Sequence, residues 1–440
     1  MTQRWERRQW TRREFIATGA LAAAGVMVGC ATNPVTGQSQ LMLMSRQEEI
    51  ALDRQHSPQQ FSADYGTVQD RKLNAYIDET GKRIALNTHR PDMPYSFRVV
   101  NATYVNAYAF PGGSIAATRG ILLKLDNEAE LASLLGHELG HVNARHTAQQ
   151  MTKGTITQVI VGGLAAYAGS QGQIYGTLAS SLGMVGAGAL LASYSRENER
   201  EADDLGMRYM ASAGYNPEGF VGLMEMLNSM SHRDASAFEL MFATHPMSQE
   251  RYDTAVAQAA GYPGAKNNPL YRERYMDRIS RLRAKAGAIE NMQKAETAMA
   301  KKNYSEAETL LESALKEAPD DYAGLVMMSK VQLALKNPEA ADRYAEKAKA
   351  VYPDEAQGHY LSGFASLQQK DYDAAQADFA RYEKLLPGNP NAAFYQGLSL
   401  EGMGRRQDAA RTYYRYLQMT REGDQARYAY GRLVEWGVVK

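Results

Sequence analysis

Cysteine is nearly absent from this sequence, since only Cys30 occurs among 440 residues. A single thiol excludes a disulfide within the chain, so the fold cannot depend on one. Net charge is absent as well, because 49 Lys and Arg residues balance 49 Asp and Glu residues. The composition therefore gives no electrostatic reason to expect nucleic acid or a strongly charged substrate as a partner.

Residues 1–29 begin with a stretch that holds five arginines and end with a stretch that lacks charged side chains. This order is typical of an export signal peptide, and Arg12-Arg13 resembles a twin-arginine signal. Val28-Gly29-Cys30 resembles the end of a lipobox, which would make Cys30 the lipidated first residue of the mature protein. The alternative is a cleaved signal with an incidental cysteine. We predict a periplasmic protein, anchored to the outer membrane by this lipid.

Charged residues are also missing from residues 154–195, which are rich in Gly, Ala and Leu. Residues 174–192 are long enough to be considered as a membrane span, but four glycines make them a poor helix former. Three interpretations remain: a cover over an active site, a surface that contacts membrane or a partner, and ordinary burial against a core. The sequence does not decide between them.

Local composition divides the first part of the chain. Residues 30–44 form a polar connector in which Pro and Gly interrupt regular structure. Residues 93–124 carry β-branched and aromatic residues and a turn at Pro111-Gly112-Gly113, which together predict a hairpin or a short sheet. We predict that residues 45–285 form one folded domain that contains this sheet.

Residues 286–440 contain an internal repeat of 34 residues, marked by alanines and prolines at fixed positions. The markers are Ala307, Ala341, Ala375 and Ala409, and Pro319, Pro353 and Pro387. The pattern resembles tetratricopeptide repeats, in which a small residue lets paired helices approach and a proline separates the pairs. We predict about four repeats and a C-terminal capping helix. Such repeats form a concave surface for a protein partner or substrate; the alternative is an appendage that only stabilises the first domain.

His137-Glu138-Leu139-Gly140-His141 has the form H-E-x-x-H, on a predicted helix capped by Asp126 or Asn127. Histidines at i and i+4 project side by side, as two imidazole ligands of one Zn²⁺ require. Glu138 is turned by about 100° around the helix from His137, so its carboxylate can take a proton from water at the metal. The spacing predicts a zinc-dependent hydrolytic site.

A catalytic zinc ion needs a third protein ligand. We expect this ligand to be one of two acids, Glu199 and Asp203, because they lie at i and i+4 and share a helix face. Glu201 points away from that face. One acid can bind metal while the other supports a histidine. The residues alone leave both assignments open.

The H-E-x-x-H motif and the E-x-x-A-D of Glu199 to Asp203 together resemble the HtpX and CAAX-prenyl-protease peptidase family. The resemblance is closer to its Oma1-like members, which lack the many membrane spans, and to periplasmic members that join the peptidase domain to tetratricopeptide repeats. It implies an α+β, predominantly α, fold. A zincin-type (gluzincin) metallopeptidase domain with a small sheet would be followed by an all-α solenoid of repeats.

The resemblance also implies roles for single residues at the metal. The zinc ligands would be His137, His141 and Glu199. Glu138 would be the catalytic base and Asp203 a supporting acid, which leaves Glu201 in solvent.

Two further segments match the family pattern. One contains Asn106, Ala107, Gly112 and Gly113, and in the family it precedes an edge strand that pairs with substrate; a turn and a buried strand are the alternative. The other contains His245, Pro246 and Arg251. His245 would stabilise the oxyanion, or bind metal as a fourth ligand that keeps the enzyme latent, or merely cap a helix. Arg145 and His146 would pack beside the ligands.

We therefore expect a zinc-dependent endopeptidase of the bacterial cell envelope that degrades misfolded or misassembled outer-membrane proteins. Its repeats would bind substrate or the outer-membrane assembly machinery. The alternative is a chaperone or assembly adaptor that acts through its repeats, although the intact Glu138 argues against a dormant site. Processing of prenylated CAAX proteins is disfavoured, because the required set of hydrophobic spans is missing.

Overall fold

The computed structural model describes residues 30–37, 39–41, 44–150, 194–231 and 235–439. The predicted signal peptide and nearly all of the uncharged stretch over 154–195 lie outside these residues, as does the side chain of Cys30. No helix in the described part of the chain is both long enough and apolar enough to cross a membrane.

The connector after the predicted signal contains a small antiparallel hairpin of β1 (Cys30–Thr32) and β2 (Ser39–Leu41). Its turn is closed by Asn33 Oδ1, which accepts hydrogen bonds from the backbone N–H groups of Val35 and Thr36. Gly37 follows with a φ of 69°, which glycine adopts without strain. Pro34 and Gly37 thus interrupt regular structure, but the connector also contains a short strand on each side of that turn, which was not predicted.

The first domain combines one small sheet with helices. Its elements are α1 (Arg46–Ala63), α2 (Arg71–Ala85), β3 (Ser96–Val100), β4 (Ala107–Ala109), β5 (Ser114–Thr118), α3 (Arg119–Leu122), α4 (Glu128–Asn143), α5 (Arg196–Ser212), α6 (Glu218–Ser231), α7 (Ala235–Thr244), α8 (Gln249–Ala259), a 3-10 turn (Ala265–Asn267), α9 (Arg272–Arg278) and α10 (Ser280–Arg283). The strand order is β3-β5-β4, with β3 parallel and β4 antiparallel to β5. The short sheet predicted over 93–124 is confirmed, and β4 lies at one of its edges.

Helix α4 is the centre of this domain, and all of its residues are buried. Asn127 caps it by accepting a hydrogen bond from the Glu130 backbone N–H. Helix α5 approaches it closely where both helices carry small residues. A Cβ placed on Gly140 would lie 2.7 Å from the Ala202 carbonyl oxygen, and one on Gly136 would lie 2.9 Å from that of Gly206. The glycines therefore allow the two motif-bearing helices to pack backbone to backbone.

The second domain consists of four helix pairs and a final helix. The pairs are α11 (Ala286–Ala300) with α12 (Tyr304–Glu317), α13 (Tyr322–Ala334) with α14 (Pro338–Val351), α15 (Ala356–Gln369) with α16 (Tyr372–Leu385), and α17 (Pro390–Gly402) with α18 (Arg406–Met419). The final helix is α19 (Asp424–Glu435). All four alanines of the 34-residue pattern are fully buried, as close packing within pairs requires. The predicted repeat architecture is confirmed.

The final helix packs on the stack and also exposes apolar side chains of its own. Ala426, Ala429 and Leu433 are buried. Tyr430 and Val434, on the outer side, remain 49% and 43% exposed. The helix thus covers α18, as the prediction of a capping helix requires, and leaves two apolar side chains of its own exposed.

The two domains pack against each other through buried polar contacts. Arg119, which begins α3, pairs with Asp321 at 2.6 Å, and both side chains are less than 5% exposed. Glu296 on α11 accepts hydrogen bonds from the hydroxyls of Tyr65 and Thr103. Glu296 lies on the first helix of the first repeat, and Asp321 is the residue just before the first helix of the second repeat.

The third repeat continues this interface. Glu355, which precedes α15, accepts hydrogen bonds from the hydroxyls of Ser62 and Tyr322. Gln357 donates to the carbonyl oxygen of Ser62. A Cβ on Gly66 would lie 2.7 Å from the Glu355 side chain, so the chain just after α1 fits here only without a side chain. The repeats therefore hold the peptidase side of the molecule along three successive pairs.

Candidate metal centre

Three side chains from two helices meet at the α4–α5 crossing. The Nε2 atoms of His137 and His141, one turn apart on α4, lie 3.0 Å from each other. Glu199, in the first turn of α5, places Oε1 3.4 Å from His141 Nε2. The structure thus brings together the three residues predicted to bind metal.

His245 completes the group from the segment after α7. Its Nδ1 lies 3.3 Å from His137 Nε2 and 3.1 Å from Glu199 Oε1. One donor atom from each of the four side chains lies within 4.8 Å of the others, and all four residues are buried. Buried imidazoles and a carboxylate that converge in this way suit a borderline divalent ion such as zinc.

Glu138 lies beside this group without a hydrogen-bond partner for one oxygen. The residue is 1% exposed, and its Oε2 atom has no partner among the described residues. Its other oxygen lies 3.9 Å from His245 Nε2. Burial raises the pKa of this carboxyl group. A buried oxygen left unpaired is costly, and this one lies next to the donor atoms.

Asp203 supports His137 from behind. It accepts a hydrogen bond from His137 Nδ1 at 2.9 Å and two from the Arg251 guanidinium at 2.7 Å each. Burial alone would raise the pKa of Asp203, but Arg251 and His137 hold it below its usual value. Arg251 also lies 2.7 Å from Glu199 Oε2. The Arg251 guanidinium thus contacts both Glu199, a candidate metal ligand, and Asp203, the acid that orients His137.

His141 is supported differently. Its Nδ1 lies 2.9 Å from Nδ1 of His146, whose Nε2 lies 3.2 Å from Glu201 Oε2. Glu201 was predicted to be a solvated bystander; its side chain is 31% exposed, but it is no bystander, because it reaches a fully buried histidine. Helical geometry correctly predicts that Glu201 points away from Glu199. It does not predict that His146, just after the end of α4, contacts the Glu201 side chain.

Two further residues lie at this site: Tyr194, which was not predicted, and Arg145, which the family resemblance places beside the ligands. The Tyr194 ring stacks on the His141 ring at a centroid distance of 3.8 Å. Arg145 adopts a left-handed conformation with φ of 63°, and its side chain pairs with Glu49 at 2.7 Å. Neither has a spacing signal, since their partners are distant in sequence. The left-handed turn at Arg145 directs His146 back towards α4.

The segment that carries His245 is fixed by its neighbours. The Tyr194 backbone N–H donates to the Thr244 carbonyl oxygen at 3.0 Å, and Arg251 donates to the Pro246 carbonyl oxygen at 2.9 Å. Burial alone would lower the pKa of His245, but the Glu199 carboxylate raises it. The contacts hold Nδ1 of His245 among the donor atoms.

The predicted substrate segment forms an edge strand and a turn. Asn106 and Ala107 are fully buried at the start of β4. Neither polar atom of the Asn106 side chain has a hydrogen-bond partner in the described part of the chain. Gly112 and Gly113 form the turn to β5, where Gly113 has a φ of 105°. The edge strand is therefore β4 itself, and the glycines shape its return.

Comparison with known proteins gives two family matches. Residues 71–259 match peptidase family M48, and residues 298–363 match the tetratricopeptide repeat. The chain is 28% identical over 358 residues to the beta-barrel assembly-enhancing protease of Yersinia pestis, covering 72% of this chain and 71% of that protein. A putative protease of the same name from Vibrio cholerae is 30% identical over 288 residues, covering 58% of this chain and 57% of the relative.

More distant relatives extend beyond bacteria. The mitochondrial metalloendopeptidase OMA1 of Arabidopsis thaliana is 29% identical over 184 residues, which cover 42% of this chain and 36% of that protein. Among solved structures, YrrB, a tetratricopeptide repeat protein, is 18% identical with a TM-score of 0.32, covering 45% of this chain and 99% of YrrB. A score of this size supports no inference. The sequence matches confirm the predicted peptidase domain and the repeats that follow it: residues 71–259 match peptidase family M48, residues 298–363 match the tetratricopeptide repeat, and the relatives support a metalloendopeptidase.

Proposed function

We propose that this chain is a zinc-dependent endopeptidase of the bacterial cell envelope that removes misfolded or misassembled envelope proteins. The observation that carries the proposal is the unpaired Oε2 atom of Glu138, buried beside four convergent donor side chains. A carboxylate in this position serves a reaction rather than the stability of the fold.

In this proposal His137, His141 and Glu199 hold the zinc ion. Zinc at this position supplies Lewis acidity, which makes a water molecule a better nucleophile and a peptide carbonyl a better electrophile. Glu138 takes the proton of the attacking water and returns it to the nitrogen of the leaving amine. Its raised pKa suits a group that must both accept and release a proton.

The substrate backbone would pair with β4, the edge strand beside α4. An extended peptide gains main-chain hydrogen bonds when it joins a sheet edge. The unpaired amide of Asn106, at the start of the same strand, can bond to that backbone. Substrate binding would then satisfy a polar group that the described residues leave without a partner.

His245 would act as a fourth protein ligand that keeps the free enzyme latent. Its Nδ1 lies among the donor atoms, which favours this role over oxyanion stabilisation. A catalytic zinc site keeps one coordination position open, so His245 must withdraw before a substrate is cut. Arg251 would control this step, because it contacts Glu199, Asp203 and the Pro246 carbonyl oxygen.

The cellular role rests on the names of the bacterial relatives, which describe proteases that enhance beta-barrel assembly. Together with the predicted signal peptide and the lipobox ending at Cys30, they support a periplasmic location and a lipid anchor. The repeats would contact protein substrates or the outer-membrane assembly machinery. The first helices of the first and third repeats, and the residue before that of the second, already contact the peptidase domain. Partners would therefore use the remaining surface.

The test compares full-length wild type with Glu138→Gln, and uses Glu225→Gln on the exposed side of α6 as the matched control. We expect Glu138→Gln to bind one zinc ion per chain, measured by elemental analysis, and to lose casein hydrolysis at least a thousandfold. Glu225→Gln should match wild type in both. Casein hydrolysis retained by Glu138→Gln would refute the proposed chemistry.

A second function, a chaperone or assembly adaptor with a structural metal, is favoured by one observation. Four protein donor atoms converge, as they do in closed structural sites. Envelope integrity in cells that carry Glu138→Gln separates the two functions. Full complementation by this variant would support the adaptor, whereas loss of complementation with unchanged protein abundance would support the peptidase.

A further inference from the structure

His141 and His137 differ in what lies behind them, although both contribute to the same group of donor atoms. Behind His137 is a carboxylate, Asp203, held by a guanidinium. Behind His141 is a second histidine, His146, which leads to Glu201. We propose that His146 and Glu201 are positioning residues that fix the ring and the tautomer of His141 for metal binding. This inference rests on the proposed zinc site.

The proton positions along this path follow from one constraint. His141 directs Nε2 to the donor group, where it lies 3.0 Å from His137 Nε2 and 3.4 Å from Glu199 Oε1. A metal-binding Nε2 carries no hydrogen, so the neutral ring carries its hydrogen on Nδ1. That hydrogen is donated to His146 Nδ1 at 2.9 Å.

The tautomer of His146 is then determined by the partners of its two ring nitrogens. Because His146 accepts at Nδ1, its hydrogen is on Nε2, which faces Glu201 Oε2 at 3.2 Å. An ionised carboxylate offers only acceptor oxygens, so Glu201 favours the forms of His146 that carry hydrogen on Nε2. Each histidine in the path therefore has one donor and one acceptor in the required order, and the Glu201 carboxylate, which can only accept, ends the path.

The local fold is built to bring His146 to this position. Helix α4 ends at Asn143, and Arg145 turns the chain with a φ of 63°, a conformation that costs a non-glycine residue about 1 kcal/mol. The Arg145 side chain offsets this cost with an ion pair to Glu49 and a hydrogen bond to the Met44 carbonyl oxygen. His146 emerges fully buried beside His141.

Glu201 differs from Asp203 in its access to solvent. Asp203 is 7% exposed at its side chain and is paired with Arg251, whereas the Glu201 side chain is 31% exposed. Glu201 can therefore be changed without leaving an unpaired charge in the core. This makes Glu201 the residue of choice for a test that does not unfold the protein.

The experiment measures zinc affinity of the full chain by competition with a chelator, for wild type, Glu201→Ala, Glu201→Gln and a control, Glu197→Ala. Glu197 lies on the same helix and its side chain is 80% exposed. Removal of outer hydrogen-bond partners of metal ligands weakens metal binding by about 10–100-fold. We expect the zinc Kd to rise about tenfold in Glu201→Ala, and by less in Glu201→Gln, which keeps an acceptor oxygen. Glu197→Ala should stay within twofold of wild type.

A second measurement reports on the tautomers directly. In ¹⁵N-histidine-labelled, zinc-loaded wild type, NMR should show hydrogen on Nδ1 of His141 and on Nε2 of His146. In Glu201→Ala the His146 signals should broaden or move towards a mixture of tautomers, a change that altered stability alone would not produce. An unchanged zinc Kd in Glu201→Ala, or a wild-type His146 protonated on Nδ1, would overturn the proposal. Neither measurement requires hydrolysis, so failure of the proposed peptidase chemistry would be seen separately.

Discussion

Single side chains at the metal centre each bind more than one neighbour. Arg251 contacts both Asp203 and Glu199, and Asp203 in turn orients His137. Charges with low exposure are stable only when they are paired, and removal of one partner leaves the other uncompensated. A change in this set of contacts should therefore alter both the stability of the fold and the affinity for metal.

Asp203→Asn tests this coupling. The amide cannot accept from both Arg251 and His137 with the same geometry, and it removes the negative charge that Arg251 faces. We expect unfolding to require about 3–5 kcal/mol less free energy and the zinc Kd to rise about tenfold. Denaturant unfolding and chelator competition measure the two effects.

The matched control is Asp204→Asn, since Asp204 is exposed on the same helix and accepts a surface hydrogen bond from Gln258. Equal losses in the two variants would show that the pairing with Arg251 and His137 is not what matters.

The residue types and spacings in the sequence predicted His137, Glu138, His141, Glu199 and Asp203 as a set, because helical geometry at i and i+4 is local. They did not predict the contact of His146 with Glu201, which joins residues 55 positions apart. Nor did they predict Tyr194, whose ring stacks on His141 although nothing in its neighbourhood marks it. Contacts between distant segments depend on how whole elements pack, which no spacing rule contains.

At the scale of elements, the crossing of α4 and α5 decides whether the donor atoms can meet. Glycines on both helices remove the side chains that would keep the axes apart. The helices themselves were predictable from capping residues and apolar periodicity. Their distance was not, since Gly140 lies inside the H-E-x-x-H motif and its role as a contact surface is visible only in the packed structure.

Gly140→Ala should separate α4 from α5. Alanine favours an isolated helix by about 1 kcal/mol, but here its Cβ would lie 2.7 Å from the Ala202 carbonyl oxygen, which is backbone and cannot rotate away. We expect a net loss of about 1–3 kcal/mol in unfolding free energy, together with weaker zinc binding as Glu199 moves from the histidines.

Gly431→Ala on α19 is the control for this variant, because a Cβ there meets no atom within 4 Å. It should gain up to about 1 kcal/mol in stability. Thermal unfolding with and without zinc measures both variants. A stabilised Gly140→Ala would show that the helices tolerate a wider separation.

At the scale of the whole molecule, the two domains share an interface of buried carboxyl groups and hydroxyls. Glu355 accepts from Ser62 and Tyr322, and burial raises its pKa above the usual value despite these hydrogen bonds. The sequence predicted both domains and their order, but it contained no signal for this interface. Acidic residues before repeat helices are common surface features, and only the packed structure shows that this one is buried.

The raised pKa of Glu355 makes the interface dependent on pH. The folded protein keeps this proton to a higher pH than the unfolded chain does, so the associated stability is present below the unfolded pKa of about 4.3 and is lost as pH rises through the folded pKa. Glu355→Gln imitates the protonated form. We therefore expect the Tm of Glu355→Gln, relative to wild type, to increase between pH 4.5 and pH 8.

Scanning calorimetry across this range measures the difference, with Glu339→Gln, exposed on α14, as the control that should show none. A Tm difference that stays constant with pH would mean that Glu355 titrates normally in the folded protein.

The contact of Ser62 and Tyr65 with the repeats would affect how a protein partner competes for the same repeat surface. This segment of the peptidase domain behaves as a ligand that is already tethered to the repeat surface, held by Gln357, Glu355 and Glu296. Tethering gives a ligand an effective concentration on the order of millimolar. A peptide that binds the same face would therefore have to compete with the tethered segment at that effective concentration. Occupancy of this face by a client would consequently report how loosely the peptidase domain is held.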